Sequence, residues 1–253
     1  MGFMSLGEIV GKSIIKVGDI FYPLEGGSCK VVEYRGANNI TVEFDCYRKY
    51  RGVFQSSHLR RGRVSNPYHP RTLGVGYKGV GYFNSKNSKK AYEMWVGVIT
   101  RGNCLKYKTK KPTYKDCTVH PDWHNFQNFA KWYTEHESSG LGYEIDKDIL
   151  VKGNKVYGEE FCLLIPRIIN STVKTNYKKC TGLPLGVTQQ KGGGFVSRFN
   201  SNKNNSHLGT FDTPEEASTA YVLAKEAYVK EIAELWKGKI EDKAYESLMA
   251  WAV

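Results

Sequence analysis

Five residues of types that bind metals or attack substrates crowd the middle of the chain: Cys104, Cys117, His120, His124 and Cys162. Cys117, His120 and His124 follow one another at a spacing loosely like that of a zinc site. Structural zinc is usually gripped by cysteine pairs two residues apart, and no CxxC pair occurs in the sequence. Zinc is therefore not expected. The six cysteines read as reduced, partly buried thiols of an intracellular protein, which needs no disulfides.

A second chemistry is electrostatic. The net charge is +12, and it is unevenly placed. No acidic residue occurs between Asp45 and Glu93, a stretch that holds Arg48, Lys49, Arg51, Arg60, Arg61, Arg63, Arg71, Lys78, Lys86, Lys89 and Lys90. The same is true between Glu160 and Asp212, where Arg167, Lys174, Lys178, Lys179, Lys191, Arg198 and Lys203 stand. A merely soluble surface mixes its signs. Segregation of this kind suits a phosphate backbone and points to a nucleic acid as partner. No apolar run approaches membrane-spanning length, so no membrane partner is expected. The opening residues lack a basic-then-apolar leader, and the expected compartment is the cytoplasm.

Short strands and a few helices must position these charges. Residues 19–22, Cys29–Tyr34, Ile40–Phe44 and 53–55 alternate apolar and polar side chains between glycine-rich turns, the pattern of a small β-barrel or curled sheet. A basic loop at 56–62 closes it, either as an auxiliary DNA contact or as a solvated rim. Residues 66–70 and Gly74, Gly76, Gly79 and Gly81 form an irregular connection. Helices are expected at 88–99 and 125–133.

Near the C-terminus three strand-like pieces, 185–188, 194–199 and 206–211, precede one long helix. Thr213-Pro214-Glu215-Glu216 is a helix start: a threonine cap, proline at the first position, and glutamate three residues after the cap. Ala217, Ala220, Tyr221, Ala224, Ala227 and Tyr228 recur on one helical face, small enough to lie close against a sheet. Lys225 and Lys230 fall on the same helix, behind the sheet. A period of two puts Phe195, Ser197 and Phe199 on the core side of their strand, and Val196, Arg198 and Asn200 on the other.

The segments Gly186-Val187, Phe195-Val196-Ser197-Arg198-Phe199 and LGTFDTPEEA at 208–217, followed by Ala220-Tyr221, resemble the Apetala-two-type DNA-binding domain. That resemblance implies three antiparallel strands laid in the major groove of double-stranded DNA with a helix packed behind. It also implies that Thr188, Gln190, Lys191, Asn205 and His207 fall where the family contacts DNA, beside the outward Arg198 and Asn200.

A second resemblance covers the middle. Tyr92-Glu93-Met94-Trp95, residues 112–119, residues 122–133 and the run DKDILVKGNKVY at 146–157 are similar to phage proteins of the HNH homing-endonuclease type. Such an element is a two-stranded hairpin followed by a helix, with a histidine that activates water and a divalent cation such as magnesium on the scissile phosphate. The resemblance implies a first strand at 143–150, a turn at 152–155 and a helix near 165–171. It implies Asp146 as metal carboxylate and Asn170, with Asn154 as an alternative, beside the cation. Lys147 stands where an active member carries histidine. A lysine is normally protonated near neutral pH and cannot accept a proton, so Lys147 is expected to clamp phosphate rather than act as a base. His120, His124 or His136 would have to supply a base from elsewhere.

The expected class is α+β, in three parts: a small β domain over 1–70, a degenerate HNH-like ββα-metal unit over 71–175, and a three-stranded sheet with a helix over 176–253. The expected function is duplex-DNA binding with cleavage weak or lost. An active metal-dependent endonuclease is one alternative. A protein-binding inhibitor or adaptor reusing the scaffold is the other, its basic face then meeting an acidic protein surface.

Overall fold

In a computed structural model the described residues are 14–136, 142–174, 182–201 and 205–253, and they form a mixed α+β protein. They divide into two units: Met1–Lys110 with Pro121–Lys131, and Lys111–His120 with Trp132–Val253. No helix among them is long and apolar enough to cross a membrane.

In the first unit, strands β1 (Ile20–Phe21), β2 (Cys29–Tyr34), β3 (Ile40–Phe44) and β4 (Arg51–Phe54) form one antiparallel sheet in that order. The alternation of β2 and β3 is what buries it: Cys29, Val31, Ile40, Val42 and Phe44 share a core with Leu59 and Val64, while the residues between them stay partly open. Leu59 comes from the short helix α1 (Ser56–Arg60). Helices α2 (Lys89–Asn103) and α3 (Leu105–Lys110) follow. Trp95 of α2 is fully buried and donates its indole N–H to the Trp123 carbonyl at 2.7 Å, the partner a buried indole needs.

The second unit opens with β5 (Thr118–Val119), and α4 (Phe126–His136) straddles the division between units. Next come β6 (Tyr143–Asp146), β7 (Val156–Tyr157), β8 (Leu163–Pro166) and α5 (Arg167–Val173). β6 pairs antiparallel with β8, and β5 parallel with β7. The expected first strand at 143–150 stops at Asp146, because that side chain accepts from the amides of Asp148 and Ile149 and turns the chain. The expected helix start near 165 moves to Arg167, since Ile165 and Pro166 are held extended in β8 and proline supplies the last residue before the helix.

Strands β9 (Val187–Gln189), β10 (Phe195–Asn200) and β11 (Asn205–Phe211) make a three-stranded antiparallel sheet with β10 in the middle. Helix α6 (Pro214–Trp236) packs on it, and α7 (Asp242–Met249) ends the chain. The capping box is complete: the Thr213 hydroxyl accepts from the Glu216 amide at 3.2 Å, and the Glu216 carboxylate accepts from the Thr213 amide at 3.3 Å. The buried stripe of α6 is Ala217, Tyr221, Lys225, Val229, Ile232 and Ala233, so Ala227 is exposed and Lys225 lies inside. Its ammonium donates to the Lys174 carbonyl at the end of α5 at 3.0 Å and lies 5.7 Å from the Trp251 ring. Burial holds its pKa below the usual lysine value.

Gly186 sets how closely α6 approaches. Its φ is +77°, and a Cβ there would sit 1.9 Å from the Tyr221 ring. The bend at Gly186 also delays β9 to Val187 from the expected 185. Urea unfolding should separate these two devices. Thr213→Ala is expected to cost about 1 kcal/mol, the usual worth of such a cap. Gly186→Ala should cost more, because it adds a disfavoured backbone to a direct collision.

Candidate nucleic-acid interface

Helix α6 covers one face of the β9–β10–β11 sheet. Phe199 marks it, its ring 5.8 Å from Tyr221 and 5.5 Å from Tyr228 at tilted, edge-on angles. Residues directly opposed in an antiparallel ladder project to the same face. Phe195 pairs with Gln189 and Phe211, and Ser197 with Val187 and Gly209, so these share the helix side with Phe199. Val196 pairs with Thr188 and Thr210, and Arg198 with His207. Thr188, Arg198, Asn200, His207 and Thr210 therefore project from the opposite face, and all five are exposed. Val196 in their midst is buried, which leaves a polar rim around one apolar centre.

A bulge is needed for this arrangement. Ser197 faces Gly209, but Arg198 faces His207, so Leu208 is the extra residue on β11. Strict alternation would have put His207 with Gly209 and Phe211 under the helix. The bulge turns it outward beside Arg198. Asn205 opposes Asn200 in the ladder. Gln190 and Lys191 lie in the exposed turn after β9, closed by the Gln190 amide donating to the Gly194 carbonyl at 3.1 Å. Thr210 is a member of this face that motif comparison missed. Its pairing with Val196, itself alternate to Arg198, is the signal that reveals it.

The other expected residues lie on the ββα element, where a long connection joins β6 to β8 and α5 follows directly. Lys147 is buried, with its ammonium donating to Asp148 Oδ1 at 2.7 Å and to the Asn154 carbonyl at 2.5 Å. Asn154 in turn donates to the carbonyls of Lys147 and Val156 at 2.9 and 2.8 Å. These bonds tie the connection to itself, a different use from the phosphate clamp expected of Lys147. Asp146 spends Oδ1 on two amides at 2.8 Å. Burial raises its pKa above the usual aspartate value, against the opposing pull of those amides and of Lys147.

Asn170 is buried on α5, but its carboxamide nitrogen faces Glu144 Oε2 at 2.6 Å, and its oxygen is buried without a partner. Glu144, which sequence comparison did not single out, also lies 3.8 Å from Arg167. The amide N–H of Asn170, not its oxygen, is what the carboxylate meets. Among the described residues no group of three or more His, Cys, Asp or Glu converges on one point. Asp146 is engaged by two amides and the Asn170 amide nitrogen by Glu144, and no hydrolytic step is derived through a cation at these residues. Of the cysteine and histidine set, Cys104 and His124 belong to the first unit, and Cys117, His120 and Cys162 to the second. Cys162 is buried, and that burial pushes its thiol up to about 12.

Asp146 generates a pH-dependent expectation. A carboxyl raised above its unfolded value binds its proton more readily when folded, so its effect on stability worsens as pH climbs through the window above the ordinary aspartate value. Asp146→Asn keeps an oxygen for the two amides and removes the half-buried charge. Its melting temperature at pH 7 should equal or exceed that of the native protein, and the advantage should shrink on acidification. Asp146→Ala, which orphans both amides, should lower it at every pH.

Comparison with family models, with curated proteins and with solved structures found no match to this chain.

Proposed function

We propose that this protein binds double-stranded DNA through the outer face of the β9–β10–β11 sheet, and that its ββα element is a homing-endonuclease relic without cleavage activity. The layout that fits is a small β domain, a central degenerate HNH-like unit and a C-terminal DNA reader. The observation that carries the proposal is the ladder register. It gathers Thr188, Arg198, Asn200, His207 and Thr210 on the one face that α6 leaves uncovered, within a segment that has no acidic residue between Glu160 and Asp212.

Each side chain has a chemical use there. Arg198 and Lys191 carry the charge that displaces counterions from phosphates. Asn200 and His207 offer donors and acceptors at base-edge height, and the Thr210 and Thr188 methyls suit the thymine methyl. A sheet of this width enters the major groove as a β-ribbon does. The loss of cleavage is supported by the state of the ββα residues: the Lys147 ammonium is a donor twice over, and Asp146 is committed to two amides. Neither is disposed to take a proton from water.

Fluorescence anisotropy with a labelled duplex tests the binding. Affinity should fall steeply with salt, and replacing Arg198 and Lys191 together with alanine should flatten the log–log salt slope by roughly 2, near 0.9 per lost phosphate contact. Lys230→Ala, at an exposed position on α6, should change nothing. Lys225 is unsuitable as that control because it is buried. Equal losses at both sites would place the reader elsewhere. Supercoiled plasmid should stay intact with magnesium or manganese, and chelation should leave binding unchanged. Robust nicking lost on Lys147→Ala would restore the enzyme.

A further inference from the structure

The first unit holds a second feature that the sheet face does not use. Three successive residues of the β3–β4 loop, Tyr47, Arg48 and Lys49, have positive φ values of 49, 70 and 46°. None is glycine, asparagine or aspartate, and each left-handed L-residue costs about 1–2 kcal/mol. The conformation is held from outside. Buried Asn66 donates to the carbonyls of Cys46 and Tyr47 at 2.9 and 3.2 Å, and the Tyr47 ring meets His69 edge-on at 5.1 Å. What the strain achieves is the placement of Arg48. Its guanidinium carbon lies 5.0 Å from the Tyr68 ring centre and 5.8 Å from that of Tyr77, with a long bond of 3.4 Å to the Tyr77 hydroxyl. A cation stacked on aromatic faces is braced while its N–H edges stay available.

Tyr77 leads directly into a second braced loop. Gln127 donates to the carbonyls of Lys78 and Phe83, both at 2.9 Å, and accepts from the Phe83 amide at 3.1 Å. One side chain therefore closes the loop between them. Gly79 and Gly81 make room for it: a Cβ at either would lie 2.1 Å from Asn125 Oδ1 or 2.2 Å from Gln127 Oε1. The closed loop displays Val80 and Tyr82 with 58 and 78% of their surfaces exposed, beside exposed Lys78 and Lys86. An apolar tip held out by a braced loop is costly to maintain in water and gains by contact.

We infer that these two loops form a second duplex-DNA contact, in which Arg48 and Lys78 take phosphates and Tyr82 wedges against a base step. Charge selects the occupant. The whole segment between Asp45 and Glu93 lacks acidic residues, and of its basic side chains Arg51 and Arg71 already pair with Glu43 and Glu25. Arg48 remains on the surface against Tyr77, and Lys78 at the foot of the loop that carries Tyr82, which together supply the cations and the aromatic face that phosphate plus an unstacked base require. The contact stands on the first unit alone and does not depend on the C-terminal sheet.

The full chain is titrated into a duplex carrying 2-aminopurine, with anisotropy and base fluorescence read together. Native protein should raise the 2-aminopurine signal, as an unstacked base does. Tyr82→Ala, at an exposed tip, should abolish that rise and weaken binding about tenfold, within the worth of one stacked base, at unchanged salt slope. Arg48→Gln should reduce the slope by about one phosphate contact. Circular dichroism confirms that each variant is folded. Both losses should persist in the Arg198→Ala, Lys191→Ala background. If the sheet variant binds as native does while Tyr82→Ala and Arg48→Gln lose affinity, the sheet proposal fails and this one stands. If Tyr82→Ala and Arg48→Gln retain native affinity, slope and fluorescence, the second contact does not exist.

Discussion

The contact between Gly186 and Tyr221 decides how the C-terminal sheet can be used. A phenol ring occupies the volume where any other residue would carry a Cβ, so α6 sits down on the strands instead of riding over them. Tyr221, Tyr228 and Phe199 close one sheet face, and the other presents Thr188, Arg198, Asn200, His207 and Thr210 exposed. Every assignment of an outward residue depends on that choice of side. The capping box at Thr213 and Glu216 then fixes where α6 begins, immediately after β11, so the helix cannot shift along the sheet without breaking both bonds.

The same helix ties into the ββα element. Lys225 reaches the carbonyl of Lys174, the residue that ends α5, a favourable place for a cation because helix C-termini carry partial negative charge. The interaction carries a desolvation cost, visible in the lowered lysine pKa. The stacking of Trp251 nearby offsets part of it. Residues 132–253 accordingly fall in one compact unit. In that setting the ββα element, its polar groups spent on internal ties, supports the helix that backs the three-stranded sheet.

Local signals in the sequence were legible where a single rule governs. Strands β2 and β3 have the bounds their alternation implies, and the helix after Thr213 starts where its cap residues say. What alternation alone cannot give is the bulge. Without Leu208 as an extra residue, His207 would face the helix, and only the cross-strand register shows that it does not. Helical spacing puts Lys225, four residues after Tyr221, on the buried stripe and Lys230 off it; what spacing cannot give is the Lys174 carbonyl that receives the buried ammonium. Asp146, Lys147 and Asn170 were recognisable as polar residues at motif positions. The Asp146 bonds to the amides of 148 and 149 are a local aspartate turn, whereas the Asn154 carbonyl and Glu144 are partners set by a chain path that no spacing rule encodes.

The most direct test of the central claim is amide and side-chain NMR mapping of the full chain with a short DNA duplex. Thr188, Arg198, Asn200, His207 and Thr210 should shift or broaden together on titration, while exposed positions of α6 such as Leu223 and Lys230 stay in place. Perturbations confined to the outer side of α6 or to the connection between β6 and β8, with the sheet resonances unmoved, would contradict the account.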